Sequence, residues 1–283
     1  MYKILIFITA LLSLIPVGQP KPKAELIRPE TDETYRLPIV MYHAVNKKNN
    51  GTYSLLPSQL EKDLIYIRES GFTTILVQDL LDFQEKGKPL PAKPIMLTFD
   101  DAALSLYLYG WPLLKQYDMK FIIAAVGYFT DENYDENGKL ISDMRSHMNW
   151  EQLKECYDSG LAEIQNHSYD MHRNGRGRQG MKRKKNESYE SYRELIAGDV
   201  GRMSSRIREK IGFECTAVAY PFGAFTNCLP GILKEEGYKA AFICYEKINY
   251  INRTSDLFNL CRYNRPGGVS TQGFFEKKMK LNY

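Results

Sequence analysis

The sequence predicts an α/β fold in which parallel strands alternate with helices and close into a barrel. Short apolar runs alternate with longer amphipathic ones for seven or eight units from Leu37 onward, the pattern of strands joined through crossover helices. Four of the apolar runs end in polar or turn-forming residues, at His43, Asp100-Asp101, His167 and Pro221-Phe222-Gly223. Parallel barrels keep their chemistry at the C-terminal ends of strands, so these four ends read as one mouth.

Taken in order, Leu37 to His43 reads as a strand. Pro57 to Ser70 reads as a helix, opened by a proline and stopped by Gly71. Thr73 to Val77 is the next strand, followed by a helix to about Glu85. Pro94 to Asp100 is a continuous apolar run ending in charge, as expected of a strand buried on both faces. A helix through Leu114 to Tyr117 leads to a strand from Lys120 to Val126, and a helix from Asn149 to Ser159, stopped by Gly160, to a strand from Leu161 to His167. Beyond a basic loop lie a helix from Glu187 to Lys210, a strand from Thr216 to Tyr220 and a helix from Leu229 to Glu236. Ala240 to Tyr245 and Asn259 to Asn264 read as the last strands, and no repeat of 20–50 residues is evident.

The 283 residues suffice for one large domain, and 43% hydrophobic with 25% charged residues is ordinary globular composition. A formal charge of +4 does not predict a nucleic-acid partner. The 20 Tyr and 13 Phe suit either a core or a groove that meets sugar rings. Residues 1–18 hold a short positive start, the apolar run Ile4 to Val17 and Gly18, and read as a signal peptide or N-terminal anchor. The run is shorter than the ~20 residues that span a bilayer. Residues 19–36, rich in Pro, Lys and Glu, read as a tether, leaving 37–283 as the folded domain of an exported, secreted or envelope-associated protein. Five scattered cysteines without CxxC spacing make a thiolate zinc cage improbable, and buried structural roles are expected for most.

Adjacent carboxylates at the end of a buried strand invite a division of labour, one held by a cation and the other left as a base. Capping of the helix begun by Ala102-Ala103-Leu104 is the alternative. Two imidazoles help to decide. His167 and His172 lie five residues apart, about 140° out of register on a helix, so a loop after a strand must bring them together. Two His and one Asp form an open metal site with room for water and substrate.

Thr98-Phe99-Asp100-Asp101 and His167-Ser168-x-x-x-His172 resemble the first two motifs of the NodB-type polysaccharide deacetylases, carbohydrate esterase family four. Ala219-Tyr220-Pro221-Phe222-Gly223 resembles the third. Val40-Met41-Tyr42-His43 and the His spacing resemble the branch of exported poly-N-acetylglucosamine and peptidoglycan deacetylases. The resemblance runs from about Leu37 to the end and implies a distorted (β/α)7 barrel that removes N-acetyl groups from glycans with a divalent metal. That metal would be zinc, with cobalt, nickel or iron as substitutes. By the same resemblance Asp101, His167 and His172 would bind the metal, Asp100 would be the general base, and the Phe222 backbone N–H would contact the oxyanion. Tyr220 and Pro221 would meet substrate.

Three departures stand out. Ala102 replaces the usual glycine, the motif-three arginine before Tyr220 is missing, and no His follows His172 to serve as the family's late general acid. His43 is the candidate acid, with a pocket-lining role as the alternative. Arg262 and Arg265 are candidates to orient Asp100 or bind substrate, and His147 and Trp150 are expected to cap or enter the core. The seven basic residues from Arg173 to Lys185, broken by Gly175, Gly177 and Gly180, read either as a solvated loop or as a clamp for an anionic polymer. The expected partner is an acetylated glycan, with membrane anchoring through residues 4–17. Rival readings are an O-acetyl esterase, a degenerate glycan-binding protein and a non-haem iron oxygenase, the last leaving Asp100 without a task.

Overall fold

The sheet is best followed from its inner strands outward. In the computed structural model, which describes residues 33–48, 51–133, 136–137, 139, 146–175 and 177–281, seven chain stretches form its staves. They are β1 (Ile39–Tyr42), β2 (Pro94–Asp100), β3 (Phe121–Ala125), β4 (Ala162–Asn166), β5 (Ala217–Ala219), β6 (Ala240–Ile243) and β7, which runs as Phe258–Cys261 and, past Arg262, as Tyr263–Asn264. Each neighbouring pair is parallel. The first half of β7 pairs with β6 and the second half with β1, so one interrupted strand brings the two ends of the sheet together. The result is a nearly closed, distorted parallel barrel, as the sequence predicts.

Alternation along the strands divides inside from outside. Ile39, Met96, Ile122, Ala124, Ala217, Ala219 and Leu260 share the inner cluster. Val40, Leu97, Phe99, Ile123 and Ile164 join an outer cluster beneath α1 (Pro57–Glu69), α3 (Trp111–Gln116), α5 (Trp150–Asp158) and α6 (Tyr189–Ile211). Val218, Tyr220 and Ala241 face α6 and α7 (Leu229–Glu235) in a third cluster. Two further α-helices among the described residues are α2 (Val77–Lys86) and the short α4 (Gly127–Asp131).

Most elements lie where the sequence puts them. Pro94 to Asp100 is a fully buried strand, and Asn149 caps α5 by accepting the Gln152 N–H at 2.8 Å. The strand expected over Thr73 to Val77 contracts to Thr73–Thr74, because Val77 opens α2 with Asp79 accepting the Leu76 N–H. Tyr35 and Arg36, read as tether, belong to a strand, Tyr35–Leu37, antiparallel to Asn249–Ile251. The signal or anchor segment, residues 1–18, and most of the tether lie outside the described residues. Among the described residues no helix is long and apolar enough to cross a membrane. All five cysteines are free, and only Cys156 is fully buried, a correction to the expectation of burial for most.

Candidate active site

Strand alternation sends four functional side chains into the barrel. His43 continues the inward row of Ile39 and Met41, Asp100 that of Met96 and Thr98, His167 that of Glu163 and Gln165, and Arg262 that of Leu260. They meet at the C-terminal mouth, in a cavity of about 880 Å³ lined also by Asp101, His172 and Phe222. Asp101 is out of phase with Asp100, and its backbone reaches the same mouth only by entering the left-handed region, at φ 69°. Ala102, Ser168 and Phe222 also have positive φ, so four of the six described non-glycine residues in that conformation sit at the site. Such strain, ~1–3 kcal/mol per residue, persists only where surrounding contacts enforce it. Ala102 in that conformation explains why a glycine would suit the position.

The contacts around His167 and His172 are extensive. Asn166 accepts the Ser168 N–H at 2.7 Å, and Asp199 of α6 accepts the Tyr169 and Asp170 N–H groups at 2.8 Å each. The Ser168 and Tyr169 carbonyls accept the Gly127 and Tyr128 N–H groups of α4. Gly127 is required there, since a Cβ would stand 2.5 Å from the Tyr169 ring. This framework puts the two imidazole rings 5.1 Å apart.

Asp101, His167 and His172 offer three ligand atoms within 4.8 Å of one another, a site of metal-binding type. Asp101 Oδ1 is 3.1 Å from His172 Nε2 and 3.5 Å from His167 Nε2. No donor is aligned on it, and it is a buried oxygen without a hydrogen bond. His167 donates from Nδ1 to the Ala219 carbonyl at 2.7 Å, which leaves Nε2 as a lone-pair donor. Burial drives the His167 pKa down to about 3, so the ring is neutral, as a metal ligand must be. Burial and the Asp100 charge together push the Asp101 carboxyl up to about 6, and His43 and Arg262 offset them only in part. Two imidazole nitrogens converging on a buried carboxylate oxygen that accepts no hydrogen bond fit a cation.

Asp100 has a different environment. Its Oδ1 accepts from Arg262 Nη1 at 2.7 Å and its Oδ2 from Nη2 at 2.9 Å, with both side chains out of solvent. Burial alone would raise this carboxyl, but the Arg262 guanidinium beside it holds it well below the usual carboxylate range. Arg262 also donates to Thr98 Oγ1 at 3.1 Å. It thus takes the orienting position for which the sequence lacks the usual arginine before Tyr220. The break in β7 at Arg262 aims this side chain inward between the two half-strands.

Other expected residues lie elsewhere. Tyr220 shares the outward phase of Val218 and is buried against α6 and α7, so its side chain does not meet the cavity. Pro221 is buried beneath the turn. Arg265 is likewise outward, after Tyr263, and pairs with Asp63 of α1 through bonds of 2.7 and 2.9 Å, so its side chain does not line the cavity. Phe222 is 43% exposed, its ring 4.5 Å from that of His172. The N–H groups after it are used within the turn, Gly223 to Tyr220 and Ala224 to Pro221. His43 lines the cavity against Tyr53, its Nδ1 buried without a partner, and burial lowers its pKa. Trp150 is core, but His147 lines the cavity, stacked 4.4 Å from Phe129. Tyr53 and Leu108 join the lining too, and no sequence motif marks them.

Residues 87–241 match the polysaccharide deacetylase family. The chain belongs to that family. Among curated relatives, the poly-beta-1,6-N-acetyl-D-glucosamine N-deacetylase of Escherichia coli (strain K12) is 26% identical over 205 residues, 67% of this chain and 30% of that protein. The enzyme of the same name from Staphylococcus aureus (strain MRSA252) is 26% identical over 210 residues, 73% of this chain and 67% of that protein. The match therefore spans less than a third of the Escherichia coli relative. The polysaccharide deacetylase barrel is also that of solved structures. IcaB from Ammonifex degensii aligns with a TM-score of 0.66 at 25% identity, covering 81% of this chain and 91% of that one. A de-N-acetylase from Aggregatibacter actinomycetemcomitans aligns with a TM-score of 0.73 at 21% identity, over 86% and 99% of the two chains.

Proposed function

We propose that this polysaccharide deacetylase hydrolyses N-acetyl groups on amino sugars of a cell-surface polymer of the poly-N-acetylglucosamine type, using a divalent cation held by Asp101, His167 and His172. One observation carries the reading. In a single open cavity, three ligand atoms within 4.8 Å of one another stand beside a separate carboxylate, Asp100, kept ionised by Arg262. The names of the Escherichia coli and Staphylococcus aureus relatives support poly-N-acetylglucosamine ahead of peptidoglycan. Two imidazoles and a carboxylate suit zinc. A polymer of this kind lies outside the cytoplasm, in keeping with export directed by residues 1–18.

When bound, the cation would acidify a coordinated water and polarise the acetyl carbonyl. The remaining work falls to the chain. Asp100 Oδ2 lies 4.0 Å from His167 Nε2 and accepts the proton of the attacking water. Because both its oxygens already accept from Arg262, it is a weak base that needs an acidic proton to remove. The Phe222 N–H steadies the oxyanion as the carbonyl becomes tetrahedral. His43 is neutral at pH 7, and once charged its lowered pKa makes it a ready donor. It takes up the proton that Asp100 removed from the water and passes it to the leaving nitrogen as the C–N bond breaks to acetate and free amine, which leaves both side chains as they began. Tyr53, Leu108 and Phe222 offer apolar faces to the sugar at the rim.

The test is acetate release from β-linked N-acetylglucosamine oligomers and from an O-acetylated glycan, with chelator-treated protein and with zinc restored. Zinc-dependent acetate from the amide supports the reading. Acetate from the ester alone replaces it with an esterase, and acetate from neither removes the hydrolase.

A further inference from the structure

The basic stretch after His172 has a definite shape. Asn174–Gly175 and Arg178–Gln179 pair as an antiparallel hairpin, and the chain then folds back through Lys182 to Lys185. Between them lies a groove of about 360 Å³ lined by Arg178, Lys182, Arg183, Lys184 and Lys185. Gln179 lines both this groove and the catalytic cavity, so the two are neighbours.

The groove is built onto the catalytic turn. Gly180, at φ +52°, lies so close to Pro221 that a Cβ would meet the Pro221 carbonyl oxygen at 2.6 Å. The Arg183 N–H donates to Thr226 Oγ1 at 3.0 Å, and buried Tyr192 donates its hydroxyl to the Met181 carbonyl at 2.7 Å. Glu187 is the acid of this region. Arg178 holds its carboxylate, Lys184 donates a backbone N–H to it, and Arg183 donates to its carbonyl. Among the described residues, no carboxylate makes an ion pair with the exposed Lys182, Lys184 or Lys185 side chains. Two arginines fixed at the base and three ammonium groups around the rim form a concave positive surface. It lies beside the catalytic mouth, with Gln179 on the wall between them.

We propose that this groove binds an oxyanion, a carboxylate or phosphate carried by the polymer beside the acetylated sugar that enters the mouth. The inference rests on the reading of the mouth as a glycan deacetylase site and adds a charged substituent to its substrate. It also sets a direction for turnover. Each deacetylation creates an ammonium group on the polymer, which the groove repels, so acetylated and anionic stretches are retained over finished product.

The experiment compares dissociation constants, by calorimetry on the full chain, for three oligomers. One is neutral poly-N-acetylglucosamine, one alternates N-acetylglucosamine with a uronic acid, and one carries phosphodiesters. Each is measured against the native protein and the Lys182→Gln/Lys184→Gln/Lys185→Gln variant, with thermal melting to verify folding. The expected result is tighter binding of one anionic oligomer than of the neutral one, with that preference reduced about tenfold in the variant, as three exposed charge contacts imply. The preference should also shrink as salt rises from about 0.01 to 0.15 M and the screening length falls from ~30 to ~8 Å. Which anion is preferred distinguishes carboxylate from phosphate. Equal affinities for charged and neutral oligomers, a preference the variant keeps, or no binding of any of them would overturn the proposal and leave a solvated loop. Acetate release from the neutral oligomer by the native protein, measured alongside, separates that failure from failure of the deacetylase reading.

Discussion

Replacing Arg262 by Met tests how the base is held. The guanidinium makes two short bonds to Asp100, and the side chains are 0% and 3% exposed, so solvent screening does not weaken the pair. Removing one partner of such a pair leaves a buried charge uncompensated, at a cost of about 3–5 kcal/mol. For a domain of this size each kcal/mol lowers Tm by roughly 2–4 °C, so a fall of about 10 °C is expected at pH 7. The pH dependence carries the sharper signature. In the native protein the Asp100 carboxyl lies below its unfolded value, so the pair contributes fully above about pH 4 and is lost as pH falls further. Without Arg262, burial raises that carboxyl instead. The folded variant then binds the proton more tightly than the unfolded chain does, and its stability improves as pH falls from 7 toward about 4. Urea denaturation in chelator should show the gap between the two proteins closing over that range. Adding Asp100→Asn to the variant should recover most of the loss. A gap independent of pH, or one under about 1 kcal/mol at pH 7, would refute the account of this pair.

Three other substitutions have definite expectations. Asp199→Asn removes one of the two acceptors that fix the Tyr169-Asp170 backbone, and should weaken zinc binding about 10–100-fold in chelator competition. Gly127→Ala drives a methyl into the Tyr169 ring and should cost about 1–3 kcal/mol in urea denaturation, with weaker zinc binding as well. His43→Gln should lower kcat for the amide by about 10²–10⁴, yet hardly change hydrolysis of an acetyl ester whose leaving group needs no proton.

The barrel was legible because its strands are buried on both faces, as in Pro94 to Asp100, and its helices carry start and stop residues, as at Pro57 and Gly71. The Tyr35–Leu37 and Asn249–Ile251 ribbon was not, since three-residue strands have no periodicity to read. Strand ends pointed to His43, Asp100 and His167, and the inward phase of those strands brings them together. The same phase argument, applied to Tyr220 and Arg265, separates them from Arg262. Val218 and Tyr220 share one face, as do Tyr263 and Arg265, and both faces meet helices. His147 was read as cap or core because it precedes the Asn149 cap of α5 by two residues, and its place in the cavity wall comes from tertiary packing against Phe129. Tyr53 and Leu108 reach the rim only through tertiary folding.

The central claim is that Asp101, His167 and His172 hold the metal on which amide hydrolysis depends. The most direct measurement is a titration of zinc into chelator-treated protein, following bound metal and acetate release from N-acetylglucosamine oligomers together. Both should saturate at one equivalent per chain, and Asp101→Ala or His172→Ala should abolish both. Full acetate release from metal-free protein, or from either variant, would contradict the account.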